Sequence, residues 1–443
     1  MGGERQAIVI IGAGIGGLAA ALALAAVGYH IVVVERSDHL NEAGAGIQIA
    51  PNAGRILARL GLEKAIAASA IEPEAIEIRS GSSGNLITAI PCAEFRARYG
   101  FPYHVIHRAD LQNILASAAA AHPDIDLELG ATVPQYMTHG DGFLVRIQKP
   151  TGIDVVPAVA LIAADGVWST FREKIAGSAQ PEPTGRTAWR AVVPADTARD
   201  LVAMNRTGLW LGPDAHLVHY PVTQGTAVNI VAIVDELWEK KAWHTPEEQT
   251  KIADRFEAWP RHKRKLLDTP LSAEKWANRG WNAAGHPTEI ANRFREWPAA
   301  ARNLIAAPIA WQKFGLFTID PSGPWTDGRL ALLGDAAHAM RPFLAQGAAM
   351  AIEDAAVLAD ALHNTSDVPA ALRAYETARK PRVQKVAEAS SHTGEQYHYA
   401  GLTALARNTA LRVAGPRLIL ERNDWIYRWE PPQARASDRP LSA

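Results

Sequence analysis

The feature that most constrains this chain is a glycine pattern set between two apolar strands. Ala7-Ile-Val-Ile-Ile11 is a continuous apolar run, as expected of a parallel strand buried on both faces. Gly12-Ala-Gly14-Ile-Gly-Gly17 follows at once, then an alanine- and leucine-rich stretch to Val27, then Gly28, placed as a helix C-terminal glycine. A second strand, His30 to Val34, ends at Glu35, eighteen residues beyond Gly17. Each position has a physical job. Gly12 allows the tight turn, Gly14 lets the backbone approach a pyrophosphate, and Gly17 lets helix pack close to strand. The helix N-terminus offers free N–H groups and the positive end of its dipole to phosphates. Glu35 is placed to accept hydrogen bonds from a ribose diol, with Arg36 beside it in the same candidate binding set. The bland alternative is a glycine-rich turn that binds nothing. The register of strand, helix, second strand and terminal acid stands against it.

Two further elements lie far along the chain. Asp165-Gly166-Val-Trp-Ser169-Thr-Phe-Arg172 follows the apolar run Ala158–Ala164. Gly334-Asp335-Ala-Ala-His338 ends the apolar strand Leu330–Leu333, so Asp335 sits at a strand's carboxyl end, where ligands of such sheets bind. No second GxGxxG occurs. His107-Arg108-Ala-Asp110-Leu111 begins a helix, an unfavourable place for a cation unless an anion is near. Three separated motifs in this order suit one long ligand held from several parts of the fold. They resemble the class A flavin-dependent aromatic hydroxylases over almost the whole chain, nearest the salicylate and 6-hydroxynicotinate branches.

That resemblance implies an α/β fold: a Rossmann-like FAD-binding domain, an inserted antiparallel-sheet substrate domain and C-terminal helices. It implies FAD, held non-covalently, with NADH or NADPH as a transient reductant. Within the FAD set it puts Asp335 at the ribityl chain, Arg108 near the phosphates or ring, and Asp165 where FAD and the passing nicotinamide meet. Ala345-Gln-Gly347-Ala348 would present main chain to the flat ring, with Gly347 and Ala348 nearest. Gln48, in Gly44-Ala-Gly46-Ile47-Gln48-Ile49, belongs to the same set. It stands where the 6-hydroxynicotinate enzymes carry histidine, a departure that weighs against a pyridine substrate.

Composition excludes several other classes. The 443 residues carry a net charge of −1, so bulk electrostatics favour neither nucleic acid nor an anionic membrane. One cysteine, Cys92, rules out an intramolecular disulfide framework and fits a reducing compartment, which together with the lack of a leader ahead of Ala7 suggests the cytoplasm. No apolar run reaches the length of a membrane span. No metal site is expected.

From about residue 180 the pattern changes to short strands with turn residues between them: Thr187–Val193, Gly208–Gly212, His216–Pro221 and Val228–Val234. We place the FAD-binding domain at 1–180 and 312–390, the substrate domain at 181–311, and C-terminal helices and tail at 391–443. Residues 236–273 and 274–311 align at a constant offset of 38, with Trp238/Trp276, Trp243/Trp281, Phe256/Phe294, Trp259/Trp297 and Pro260/Pro298 among the identical pairs. Two copies do not make a solenoid, which needs at least about three repeats. The expectation is a duplicated helical segment forming a surface insertion.

For the family, the chemistry is transfer of oxygen from a flavin C4a-hydroperoxide to an electron-rich ring, consuming O2. The protein must orient a small hydroxylated aromatic acid, deprotonate its phenol and exclude water. His216, Val218 and Tyr220 share one strand face, with Leu217 and His219 on the other. His216 with Tyr220 is one candidate set; His219 competes, because the inward face is open. Arg341, before Pro342-Phe343, suits a planar carboxylate. Ring hydroxylation and hydroxylation with decarboxylation both fit, and a same-fold flavoenzyme without monooxygenation or a non-catalytic flavin-binding protein are alternatives. The halogenase pattern Trp-x-Trp-x-Ile-Pro does not occur. Glu395–Gly401 and Asn423–Tyr427 read as packing and interface positions, which leaves room for a homodimer, and Pro431–Ala443 as a mobile tail.

Overall fold

The structure is a computed structural model that describes residues 7–40, 45–236 and 282–431. Its first layer is a six-stranded sheet. Ala7–Ile11 pairs in parallel with His30–Glu35 on one side and Ala160–Ala163 on the other. Ile125–Leu129 and Leu330–Leu332 extend the parallel set, and Thr326–Asp327 closes one edge antiparallel. The inner strands Ala7–Ile11, His30–Glu35, Ala160–Ala163 and Leu330–Leu332 are near-continuous Val, Ile, Leu and Ala because helices cover the sheet's faces, whereas the edge strand Ile125–Leu129 carries Asp126 and Glu128. Helix Ile15–Ala26 begins straight after the glycine turn, and Gly28, at φ 97°, ends it in a left-handed conformation that favours glycine. A small antiparallel sheet, Thr132–His139, Gly142–Lys149 and Gly152–Ala158, is appended.

The second layer is an eight-stranded sheet ordered 282–285, 311–318, 182–194, 227–235, 215–222, 206–212, 75–80, 86–91. All pairs are antiparallel except 206–212 with 75–80. This sheet departs from the expected boundaries. It draws two strands, Ala75–Ser80 and Leu86–Pro91, from the first 180 residues, and Trp311–Thr318 runs across the expected edge at 311/312. The parallel join pairs residues some 130 positions apart, which local pattern does not reveal. The expected break at 390/391 is also absent, because one helix runs from Val368 to Tyr397.

The duplication needs a correction. The second copy is described from Asn282 onward, and it is not a surface insertion. Ile290, Phe294, Trp297, Leu304, Ile305 and Trp311 are buried in one cluster with Trp189, Trp210, Leu217 and Ile230 of the sheet. The Trp297 ring lies so close to Gly81 and Gly212 that a Cβ on either would come within 2.6 Å or less of it. The periodicity marked an amphipathic helix but not what its apolar face would meet. The first copy, beyond Glu236, lies outside the described residues, as does the tail from 432.

Candidate active site

The glycine turn is built as its sequence requires. Gly12 has φ 102°, and a Cβ there would stand 2.5 Å from the Ala164 carbonyl oxygen. A Cβ on Gly17 would fall 2.0 Å from the Gly12 oxygen, whereas on Gly14 it would meet nothing within 4 Å. The first and last of the three are packed shut and the middle one faces open space. Helix Ile15–Ala26 has neither a side-chain cap nor an acid in its first turn, so its N–H groups remain available to an anion. Glu35 accepts from the Ala13 N–H through Oε2 and from the Ser37 N–H through Oε1, each at 2.9 Å. It ties the second strand to the glycine turn and keeps further lone pairs for a ribose. Arg36 beside it is exposed.

The other cofactor candidates converge from far along the chain. Arg108 is the first residue of helix Arg108–Ala120. Burial lowers its guanidinium, opposed by the charge of Asp335. Asp335 is exposed while Ala336, Ala337 and His338 behind it are buried. Asp165 accepts from the Thr170 N–H at 3.0 Å, and burial raises its carboxyl. Arg172 donates to the Val167 and Ala336 carbonyls, joining the Asp165 loop to the Asp335 turn. Behind that turn Asp354 accepts from Gly334 N at 3.0 Å and pairs with His338 Nε2 at 2.6 Å and Arg379 Nε at 2.7 Å. Burial alone would raise the Asp354 carboxyl, but His338 and Arg379 outweigh it and hold it at about 2. Sequence reasoning missed this buried brace, in which the partners of Asp354 lie 16 and 25 residues from it on either side.

Gly347 opens helix Gly347–His363, again with no side-chain cap, and a Cβ there would also project into open space. Ala345 before it is left-handed at φ 52°, a strained conformation for alanine that leaves main chain rather than side chain to line the turn. Ala348 follows as the helix's second residue. Gln48 lies on the strand Gly46–Ile49, half-buried, opposite Val105. Open space at two glycines, uncapped helix starts, Glu35, and a cation facing Asp335 together fit a flavin dinucleotide. Gly12, Gly14, Glu35, Arg108, Asp165, Asp335 and the 345–348 main chain would hold it.

The eight-stranded sheet meets this region through one face. The Asn229 side chain accepts from the Gly46 N–H at 2.7 Å, and the Tyr220 ring packs on Gly46, where a Cβ would come within 2.3 Å of it. Cross-strand pairing puts Arg190, Val231, Val218 and Gln312 in line on that face, with Tyr220 and Asn229 paired one step along and His216 paired with Ile233 on the other side. His216 and Tyr220 are therefore on the side of the 46–49 strand. His219 is not: it pairs with Ile230 and Gly208 on the opposite face, against Glu77 and Arg79. Its expected competition for the base role is corrected by the strand's pleat. Burial pushes its imidazole down to about 4.

Arg190 was not foreseen, although one charge inside Ala188-Trp-Arg-Ala-Val-Val is a signal in itself. Its guanidinium lies over the Phe314 ring at 5.0 Å, and no carboxylate pairs with it among the described residues. Burial, then the charge of Arg108, push it down to about 10. Two cations repelling each other in an enclosed space favour an anion between or beside them. Tyr220 is raised by burial, so it remains a phenol that can donate. Arg341 flanks the turn Pro342–Leu344, half-buried near Arg186, Glu395 and Asp235. His398, expected to be a packing position, instead touches His216: their Nε2 and Nδ1 atoms are 2.8 Å apart. Among the described residues no cluster of His, Cys, Asp or Glu could hold a metal ion, and no helix is long and apolar enough to cross a membrane.

Comparison with known proteins places this architecture. A family model described as "FAD binding domain" matches residues 5–390. The chain is 32% identical over 422 residues to 3-hydroxybenzoate 6-hydroxylase 1 of Aquipseudomonas alcaligenes, covering 95% of this chain and 97% of that one. It is 34% identical over 437 residues to a 3-amino-4-hydroxybenzoate 2-monooxygenase of Streptomyces platensis, covering 96% and 97%. Among solved structures it matches a salicylate hydroxylase substrate complex with TM-score 0.72 and 25% identity, covering 96% of each chain. FAD is the cofactor, and the chain belongs to the family of FAD-dependent aromatic hydroxylases.

Proposed function

We propose that this enzyme hydroxylates the ring of a small hydroxybenzoate-type acid, keeping the carboxylate, with NADH or NADPH and O2 as co-substrates, in the cytoplasm. The observation that carries this is the single sheet face on which Arg190, Tyr220 and His216 stand, docked through Asn229 on the Gly46 strand. Arg190, stacked on Phe314 and without a carboxylate partner among the described residues, supplies a planar cation for the substrate carboxylate. Tyr220, kept protonated by burial, donates a hydrogen bond that orients the ring. His216, whose imidazole is pushed well below its ordinary value by burial and then by His398 and Arg186, is neutral at working pH and takes the phenolic proton. FAD supplies the oxygen chemistry when bound and reduced. Names of relatives at 32% and 34% identity support a ring-hydroxylating reading over a decarboxylating one.

The test is NADH and NADPH consumption by the FAD-loaded enzyme over a panel of mono- and aminohydroxybenzoates, with the matching phenols lacking a carboxylate as controls. The expected result is stimulated consumption, stoichiometric hydroxylated product and no CO2, for acids only. Arg190→Met should raise KM for the acid at least 10-fold, the equivalent of about 1.4 kcal/mol or more. Equal stimulation by the uncharged phenols would overturn the carboxylate reading.

A further inference from the structure

His216 is the inner end of a chain of bonds that runs out of the sheet. Its Nδ1 is 2.8 Å from His398 Nε2, and His398 Nδ1 is 2.8 Å from Asp235 Oδ1. Asp235 in turn accepts from Arg186 Nε at 2.8 Å. The parts come from three places. His216 is on strand Ala215–Val222, Asp235 ends strand Ala227–Asp235 opposite Arg186, and His398 caps the helix that runs from Val368 to Tyr397. The two histidines are almost wholly buried, while the Asp235 side chain is 39% exposed. Polarity along the chain follows from the donors. Burial would raise the Asp235 carboxyl, but His398 and Arg186 outweigh it and lower it, so Asp235 is an acceptor. His398 must then carry its proton on Nδ1 and present a lone pair at Nε2. His216 must donate from Nδ1, which leaves its Nε2 as the basic atom.

We propose that His398, oriented by Asp235 and Arg186, is the positioning residue that holds His216 in its basic tautomer and carries the phenolic proton out to solvent. This rests on the reading of His216 as the base. The balance is simple. The phenol O–H bond breaks and its proton goes to His216 Nε2. The His216 Nδ1 proton passes to His398 Nε2, and the His398 Nδ1 proton leaves through Asp235 to water, with no change of oxidation state. A buried histidine with a depressed pKa is a poor base alone, because its imidazolium is destabilised. A partner that takes the charge and places it beside a carboxylate removes that penalty. Other ionisable groups facing the pair are Arg186 from the sheet and Tyr397 from the helix; Arg341 of the adjoining turn and Glu395 of the helix lie one step out, Arg341 beside Arg186, Asp235 and Glu395.

Two readouts test this in the FAD-loaded enzyme. Nitrogen-15 NMR of labelled histidine, assigned with His216→Asn, reads the tautomer without any substrate. His216 should carry its proton on Nδ1 in the native protein and lose that preference in His398→Phe. His398→Gln, which still offers an acceptor, should keep the tautomer. In turnover, His398→Phe should lower kcat for hydroxylation on the order of 100-fold with KM changed less than about 3-fold. With the relay lost, deprotonation falls to the phenol's own ionisation rather than to His216, so the pH at which kcat reaches half its plateau should move alkaline, and His398→Gln should restore part of the rate. If His398→Phe does not fold, Asp235→Asn tests the same chain, and the same change of tautomer and pH profile is expected. A native His216 protonated on Nε2, or a tautomer and pH profile that no substitution moves, overturns the proposal. Failure of the native enzyme to turn over hydroxybenzoates would count against the functional reading alone, since the NMR result does not depend on it.

Discussion

At the scale of single residues, the two histidines of one strand show how burial and pleat divide roles. His216 and His219 are three positions apart, so they fall on opposite faces of the strand, and both are nearly inaccessible. His216 has a partner at its Nδ1; the Nδ1 of His219 is buried with none among the described residues. The cost of charging His219 should therefore appear in stability rather than catalysis. Its folded value of about 4 lies below the unfolded value near 6.5. Between those values the unfolded chain binds the proton and the folded one does not, so stability present above about pH 6.5 is lost as pH falls toward 4. For this group alone the loss at pH 5 is about 2 kcal/mol. Urea titrations at pH 7 and pH 5 should show a smaller drop for His219→Asn than for the native chain, with hydroxylation retained. An unchanged drop would mean that His219 is not buried in its neutral form.

Elements carry the cofactor site. Strand, turn and helix from Ala7 to Ala26 were legible because each glycine serves a local need that any chain must meet in the same way. The structure adds a distinction that the pattern GxGxxG hides. Gly17 is wedged against the Gly12 carbonyl, and Gly14 borders open space. Gly17→Ala should force helix from strand and give an unstable or insoluble protein. Gly14→Ala should fold normally but release FAD more readily, by at least 10-fold in Kd, because its methyl group would stand where the pyrophosphate is expected. Thermal melting and flavin fluorescence on dilution separate the two. Equal behaviour of both variants would argue against the assignment of Gly14 to the phosphates. The brace of Asp354, His338 and Arg379 was not legible, since nothing in a helix sequence says that its buried acid faces a turn twenty residues earlier.

For the whole molecule, the repeated segment is the clearest test. The described part of the second copy is core, with Phe294 and Trp297 packed under the sheet, and truncating either to Ala should cost about 3–5 kcal/mol. Deleting 236–273 joins Asp235 to Glu274, restoring the Asp-Glu junction and keeping the copy that fills the core. The change in closure entropy is on the order of 1 kcal/mol. The deletion variant should be soluble, yellow and able to bind substrate. An insoluble product would show that the first copy also contributes to the core.

Sequence alone determined what depends on neighbours along the chain: the glycine turn, the apolar strands flanking it, the helix begun by Arg108, the strands of the middle region and the identity of the cofactor. It also put the candidate bases His216 and His219 on one strand. Tertiary structure decided what depends on which surfaces meet. The pleat and the contact with Gly46 turned Tyr220, Arg190 and His216 to the face that meets the Gly46 strand and His219 away. The parallel pairing of 206–212 with 75–80 recruited strands from outside the expected domain. The end of a thirty-residue helix brought His398 to a histidine 182 positions earlier. The difference is physical: backbone geometry and burial periodicity are local properties, whereas a hydrogen bond between distant side chains exists only once the sheet and helix have packed.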